Sequence, residues 1–156
     1  MTRLYPDRPI VGVGAVVWRG DRVLLVRRGK PPRQGQWSLP GGAQQLGETL
    51  REAVTREVRE ETGLELSDLR LLTTVDLVDR DPDGRVRYHY TLVDFTAEAP
   101  MGEPVAGDDA AAVAWFALDE LPGLGLWTET LRIIEDAACR RGPEEPAVRG
   151  RAASGA

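Results

Sequence analysis

The segment from Gly41 to Leu64 constrains the fold more than any other part of the chain, because it specifies a helix together with both of its ends. Thr49 followed three residues later by Glu52 is a capping-box pair, in which each side chain can bond a backbone N–H at the start of a helix. Gly63 marks the end of this helix, because glycine adopts the left-handed conformation without a steric penalty. The sequence therefore predicts a glycine-rich loop that leads into a short, well-capped helix.

One side of the predicted helix changes from apolar to acidic along its length. At about 100° per residue, Leu50, Val54, Glu57 and Glu61 fall on one stripe, and Glu60 lies beside it. Each carboxylate in the last turn faces the negative end of the helix dipole, which costs roughly 0.3–1 kcal/mol, and mutual repulsion adds to this. A divalent cation bound there would reverse these effects, and Mg²⁺ prefers carboxylate oxygens. The alternative is an acidic face that is simply solvated.

The same segment resembles the Nudix box, G-x5-E-x7-R-E-U-x-E-E-x-G-U with U aliphatic. Every defined position matches, namely Gly42, Glu48, Arg56, Glu57, Val58, Glu60, Glu61, Gly63 and Leu64. On this basis the chain is identified as a member of the Nudix hydrolase family, whose reaction is hydrolysis of a nucleoside diphosphate linked to another group. The resemblance implies an α/β protein, a Nudix-type α/β/α sandwich with a mixed β-sheet. Hydrophobic periodicity alone predicts only a mixture of helices and strands.

The resemblance also implies a metal site at the end of the helix. Glu57 and Glu61 are the expected principal ligands, and Glu60 is a further ligand or a contact through water. The backbone carbonyl of Gly41 is an additional oxygen ligand. The expected cofactor is Mg²⁺, with Mn²⁺ as a substitute.

The general base is left open among three carboxylates, Glu57, Glu60 and Asp108. Asp108 belongs to a long loop, residues 99–112, and in the family the corresponding loop frequently supplies a carboxylate that holds metal or activates water. Asp109 is the neighbouring candidate. For either aspartate alone, a solvated loop side chain is an equally good interpretation.

Basic side chains near the box are expected to position the substrate and the box itself. Arg27 and Arg28 follow one another at the end of a strand, so only one of them can face the box. Two solvated charges and a phosphate clamp are equally good interpretations of this pair, and the resemblance favours Arg28 as the residue that binds substrate. It also implies that Arg56 pairs with Glu48 and holds the loop against the helix.

Apolar segments on both sides of the box predict strands and a second helix. The strands are expected at Pro9–Arg19, Val23–Arg28, Leu69–Val78, Arg85–Ala97 and Val113–Phe116, with a turn at Asp81–Gly84 and a helix that ends near Arg140. We expect a single Nudix hydrolase domain over residues 1–140. Residues 141–156 are rich in Gly, Pro, Arg, Ala and Ser, and we interpret them as a flexible C-terminal tail.

The composition argues against several kinds of partner. A formal net charge of −5 disfavours binding to nucleic acid or to membranes. Cys139 is the only cysteine, so no intramolecular disulfide can form, and His89, the only histidine, has no second histidine with which to build a zinc site. The N-terminus contains no apolar signal segment, which predicts a cytoplasmic protein. The expected partner is a small-molecule nucleotide, and the sequence also allows a homodimer.

The substrate is inferred from the resemblance alone. The strand segment Tyr88–Asp94 resembles bacterial ADP-ribose pyrophosphatase-like proteins, which favours an ADP-ribose-like substrate. Pro82 departs from the family pattern, because it follows the box at a larger spacing than the proline of ADP-ribose-cleaving members. The alternative is a MutT-like enzyme that hydrolyses oxidised nucleoside triphosphates. An alternative from another class is a Nudix domain that senses a nucleotide without hydrolysing it.

Overall fold

The computed structural model describes residues 3–30, 33–107 and 109–141. The elements in chain order are β1 (Ile10–Arg19), β2 (Arg22–Arg28), β3 (Trp37–Ser38), β4 (Gly41–Ala43), α1 (Leu50–Thr62), β5 (Ser67–Arg80), β6 (Val86–Glu98), β7 (Ala110–Ala117), a 3-10 helix (Leu118–Leu124) and α2 (Thr128–Arg141). Neither α1 nor α2, nor the 3-10 helix between them in the described residues, could span a lipid bilayer.

The described strands form one mixed sheet. Its main path runs β3-β2-β1-β6-β5, with β4 added to β1 and β7 added to β2. β1 and β6 are parallel, whereas the other neighbouring pairs are antiparallel. The predicted hairpins β1–β2 and β5–β6 are both present, and Gly84 supplies the positive φ that the second turn requires.

The two helices cover opposite faces of the sheet, because alternate residues of β1 point to opposite sides. Cluster one, on the α1 side, contains Val13, Ala15, Val17, Ala53, Val54 and Val58. Cluster two, on the α2 side, contains Val16, Trp18, Val23, Leu25, Ile133 and Ile134. This arrangement confirms the expected α/β/α sandwich with its mixed sheet.

Helix α1 begins and ends where its sequence predicts. The Thr49 hydroxyl accepts a hydrogen bond from the Glu52 N–H at 3.1 Å. Gly63 has φ 74° and donates its N–H to the Arg59 carbonyl. The helix therefore holds its last turn, with Glu57 and Glu61, at a fixed distance from the sheet.

Several details differ from the prediction, including an unpredicted short strand at Trp37–Ser38 and an unpredicted 3-10 helix at Leu118–Leu124. Gly41–Ala43 form a short strand rather than a loop, because they pair with Gly12–Gly14 of β1, a contact that three residues cannot signal by periodicity. Helix α2 extends to Arg141, one residue into the predicted tail. Residues 142–156 and Asp108 lie outside the described residues.

Candidate active site

The last turn of α1 lies against β4 through two glutamates. The Gly41 N–H donates to Glu61 Oε2 at 3.1 Å. A Cβ at Gly42 would lie 2.5 Å from the carboxyl carbon of Glu57, so the glycine allows this carboxylate to approach the strand. The structure thus brings together Glu57, Glu61 and Gly41, as the acidic stripe and the box predict.

Glu61 is held in an environment that opposes its charge. Burial is the main cause that raises its pKa, to about 8, and the neighbouring Glu57 charge raises it further. The Gly41 N–H and the Arg28 guanidinium act in the opposite direction. A buried carboxylate beside a second carboxylate fits a divalent cation, since oxygen ligands of this type suit Mg²⁺ or Mn²⁺.

Arg56 connects the helix to the preceding loop. Its Nε and Nη2 bind the two carboxylate oxygens of Glu48, and Nη2 also donates to the Ala43 carbonyl. Its Nη1 donates to Glu57 at 2.9 Å and to Glu60 at 3.1 Å. These five acceptors match the five N–H donors of a guanidinium group. The Glu48 contact is the largest cause that raises the pKa of Arg56, and it lowers the pKa of Glu48.

Glu60 lies apart from the other two box glutamates. Its side chain is 57% exposed and bonds Arg56. Across the part of the chain that the structure describes, no three or more His, Cys, Asp or Glu side chains are grouped so that they could hold a metal ion. Of the expected carboxylate ligands, the structure therefore brings two to β4 and leaves Glu60 on the Arg56 side.

The loop before β7 is attached to the C-terminal end of α1. The Gly107 N–H donates to the Glu61 carbonyl, and the Val105 N–H donates to the Thr62 carbonyl, both at 2.9 Å. A Cβ at Gly107 would lie 2.1 Å from the Glu60 carbonyl oxygen, so only glycine fits there. Sequence reasoning missed this contact, although a glycine directly before two acidic residues was its visible signal.

Acidic and basic residues flank this attachment. Asp108, a predicted catalytic residue, lies outside the described residues. Asp109 pairs with Lys30 at 2.7 Å, and this hydrogen bond is the main cause that lowers its pKa. The Arg28 charge acts on both Glu61 and Asp109, whereas Arg27 lies over the Trp37 ring. Of the two consecutive arginines, Arg28 is therefore the one beside the box.

Asp94 of β6 is a polar residue that sequence reasoning missed. It is 6% exposed, and its Oδ2 has no hydrogen-bond partner. Burial alone raises its pKa to about 6. The available signal was an acidic residue within the apolar strand segment Leu92–Phe95, where an unpaired charge is expensive.

Comparisons with known proteins identify the family of the chain. The family model of the NUDIX domain matches residues 8–145. ADP-ribose pyrophosphatase of Methanocaldococcus jannaschii is 40% identical, over 86% of this chain and 75% of that protein. A protein of Mycobacterium tuberculosis named putative 8-oxo-dGTP diphosphatase 2 is 40% identical, over 72% of this chain and 75% of that protein. The NUDIX domain of Shewanella oneidensis NrtR, solved with ADP ribose, has TM-score 0.74 at 27% identity, covering 86% of this chain and 90% of that chain. The box, the fold and these relatives together establish that the chain belongs to the Nudix hydrolase family.

Proposed function

We propose that this pyrophosphohydrolase cleaves a nucleoside diphosphate linked to another group, with an ADP-ribose-like substrate and with Mg²⁺ as its metal. The observation that carries the proposal is the convergence of Glu57 and Glu61 on Gly41 and Gly42 of β4. Nudix hydrolases generally use divalent metal ions. A donor set made only of oxygen atoms favours Mg²⁺, with Mn²⁺ as a substitute.

The residues around β4 supply positioning, which accounts for most of the catalysis in phosphoryl transfer. Glu57, Glu61 and the Gly41 carbonyl would hold the metal, which when bound neutralises phosphate charge and lowers the pKa of the attacking water. The Gly41 N–H orients Glu61, and Arg56 orients Glu57. Arg28, whose charge acts on Glu61, would bind the phosphate oxygens of the substrate.

Glu60 and Asp108 are the proposed candidates for the general base, because Glu57 is assigned to the metal. Glu60 is exposed to water beside Arg56, and Asp108 directly follows Gly107, whose N–H binds the Glu61 carbonyl. Loss of a general base lowers kcat by about 10²–10⁴-fold. Glu60→Gln and Asp108→Asn are therefore measured separately. We expect one of the two variants to show this decrease in kcat at unchanged KM, and the other to retain most of its activity.

The preference for an ADP-ribose-like substrate is supported by two relatives. One bears the name ADP-ribose pyrophosphatase at 40% identity, and the other is a Nudix domain solved with ADP ribose. A MutT-like activity on oxidised nucleoside triphosphates is the second candidate, supported by the relative named putative 8-oxo-dGTP diphosphatase 2.

Release of AMP from ADP-ribose, and of pyrophosphate from 8-oxo-dGTP and the other triphosphates, in the presence of Mg²⁺ tests both candidates directly. We expect the highest kcat/KM for ADP-ribose among ADP-ribose, 8-oxo-dGTP and the common nucleoside triphosphates. A higher value for 8-oxo-dGTP would favour the MutT-like activity. Tight binding without turnover of any member of the panel would favour a nucleotide sensor.

The metal assignment is tested with variants of α1. Glu57→Gln and Glu61→Gln should each lower kcat by at least about 10²-fold. Loss of a residue that only orients a metal ligand already costs about 10–100-fold, and these substitutions remove a charged ligand itself. Glu52→Gln is the matched control, because Glu52 is exposed in the first turn of the same helix. Full activity in either of the first two variants would refute the assignment.

A further inference from the structure

The segment 44–48, which joins β4 to helix α1, is ordered by polar contacts rather than by packing. The Leu46 side chain at its tip is fully exposed. The Glu48 N–H donates to the Gln45 carbonyl at 3.1 Å and closes a turn. The Gln45 N–H donates in return to Glu48 Oε1 at 2.8 Å. Both bonds lie within the segment, so neither of them fixes Glu48 relative to the sheet.

Gln44 makes the connection to the sheet. Its backbone N–H donates to the Val11 carbonyl of β1 at 3.0 Å, and its side-chain Nε2 donates to the Glu48 carbonyl at 2.7 Å. One residue therefore bonds a central strand on one side and Glu48 on the other. Gln44 is half-buried, whereas the neighbouring Gln45 is exposed and uses only its backbone in the contacts above.

Glu48 is the first of three side chains that lead from Gln44 to the metal site. Its carboxylate accepts hydrogen bonds from Nε and Nη2 of Arg56, and Arg56 Nη1 donates to Glu57 at 2.9 Å. These three side chains are only 15–20% exposed, so water and salt screen the contacts weakly. Because a guanidinium group is planar and rigid, its contact with Glu48 sets the direction in which Nη1 meets Glu57. A shift of Glu48 would therefore be transmitted to Glu57.

We propose that Gln44 is a positioning residue of the metal site. Its side-chain amide holds Glu48 against β1, and Glu48 in turn holds the Arg56 guanidinium in the orientation that directs the Glu57 carboxylate. The inference rests on the proposed function for the metal at Glu57 and Glu61. It adds a residue outside the defined positions of the Nudix box, and Gln44 acts through Glu48 and Arg56 without being a ligand itself.

Loss of the Gln44 amide should weaken metal binding. A site that is in place in only a fraction of the molecules has an apparent Kd raised by the inverse of that fraction. One neutral hydrogen bond corresponds to roughly a 2- to 10-fold change in an equilibrium constant. We therefore expect Gln44→Met, which keeps the length of the side chain but has no donor, to raise the Kd for Mn²⁺ by about 3- to 10-fold.

Titration of the EDTA-treated full chain with Mn²⁺, followed by the electron paramagnetic resonance signal of the free ion, measures this Kd. Gln45→Met is the matched control, because it removes the same amide one residue away and keeps the backbone N–H that binds Glu48. Its Kd should stay within about twofold of the wild-type value, as for other exposed substitutions. A Kd of Gln44→Met equal to that of the control would overturn the inference.

A double-mutant cycle with Glu48→Gln separates positioning from a general loss of stability. Glu48→Gln weakens the contact with Arg56, so a Gln44 that acts through Glu48 should change the Kd by less than about twofold in this background. Equal factors in both backgrounds would assign the effect of Gln44 to another route and overturn the inference. A lower Tm of metal-free Gln44→Met with an unchanged Kd would likewise make Gln44 a purely structural residue.

Further variants separate the inference from the proposed function. If Gln44→Met does not fold, Gln44→Asn provides the same test, since its amide ends one methylene group short of the Glu48 carbonyl; failure of both to fold would make Gln44 structural and overturn the inference. Wild-type Mn²⁺ binding by Gln44→Met, with loss of binding in Glu57→Gln and Glu61→Gln, would leave the proposed function intact and remove only this inference. A Gln44-dependent Kd in a protein that hydrolyses no nucleotide would do the reverse.

Discussion

Arg56 and Arg59 lie three residues apart on α1, yet the fold depends on them to different degrees. Arg56 is 20% exposed and bonds Glu48, Glu57, Glu60 and the Ala43 carbonyl. Arg59 makes a two-point contact with Glu65, but both side chains are more than half exposed. Exposed ion pairs contribute little, because water and salt screen them.

Replacement of each arginine by lysine measures this difference. Lysine keeps the charge but has three donors instead of a planar fork, so Arg56→Lys leaves several carboxylate oxygens and a carbonyl unmatched. We expect Arg56→Lys to lower the free energy of unfolding by about 1–3 kcal/mol and Arg59→Lys to leave it unchanged within the error of the measurement. Urea denaturation of both variants is the measurement, and equal losses would contradict the central position of Arg56.

Asp94 predicts a pH dependence of stability. Its pKa is about 6 in the folded chain and near 3.8 when solvated, and burial is the cause. The folded state therefore binds the proton more tightly, so this stabilisation is complete below about pH 4 and is lost as pH rises through 6. Relative to Asp94→Asn, wild-type protein should lose up to about 3 kcal/mol between pH 4 and pH 7.5. Urea denaturation at both pH values, with Asp76→Asn as control, checks this; a constant difference would show that Asp94 does not titrate.

At the level of elements, the C-terminal end of α1 and the loop before β7 form one unit. The last carbonyls of a helix need partners, and here Val105 and Gly107 provide two of them. The same bonds fix the backbone immediately before Asp108. The loop thereby stabilises the helix end.

Gly107→Ala should detach the loop before β7 from the C-terminal end of α1, because the added Cβ would lie 2.1 Å from the backbone oxygen of Glu60. We expect faster hydrogen exchange at the Val105 and Gly107 amides and a decrease in kcat of at least about 10-fold, as small displacements of catalytic groups have large effects. Gly123→Ala is the control, since a Cβ there meets no atom within 4 Å. Wild-type exchange rates in Gly107→Ala would mean that the loop tolerates the methyl group.

What the sequence could predict depends on how local the signal is. The ends of α1 are local, so Thr49 and Gly63 predict them correctly. The strand β4 and the attachment of Gly107 are contacts between distant segments, and no periodicity within either segment reports them. The burial of Asp94 could not be predicted for the same reason, because it depends on the parallel pairing of β6 with β1. Helical spacing predicted Glu57 and Glu61 as neighbours, because both lie on one helix, and the box predicted the pairing of Arg56 with Glu48.

At the scale of the whole molecule, the box glutamates and the buried Asp94 lie on opposite faces of the sheet. Glu57 and Glu61 lie on the α1 side of β4, and Asp94 lies on the α2 side of β1. The formal net charge is −5, so a substrate that carries phosphates is not attracted by the overall field. Attraction must come from local charges, and the metal and Arg28 are the groups proposed for this purpose.

The metal proposed at the acidic last turn of α1 would make the stability of the domain depend on its presence. A cation that binds only the folded state raises the free energy of unfolding by RT ln(1 + [L]/Kd), which is about 2.7 kcal/mol at 100 times Kd. For a chain of this size that corresponds to an increase in Tm of roughly 5–10 °C. We expect this increase when Mg²⁺ is added to EDTA-treated protein, together with recovery of activity.

The Glu57→Gln/Glu61→Gln double variant should show no increase, and KCl at matched ionic strength controls for general screening of the acidic surface. An equal shift in the double variant or with KCl would locate the effect away from α1 and would remove the metal site from these two residues.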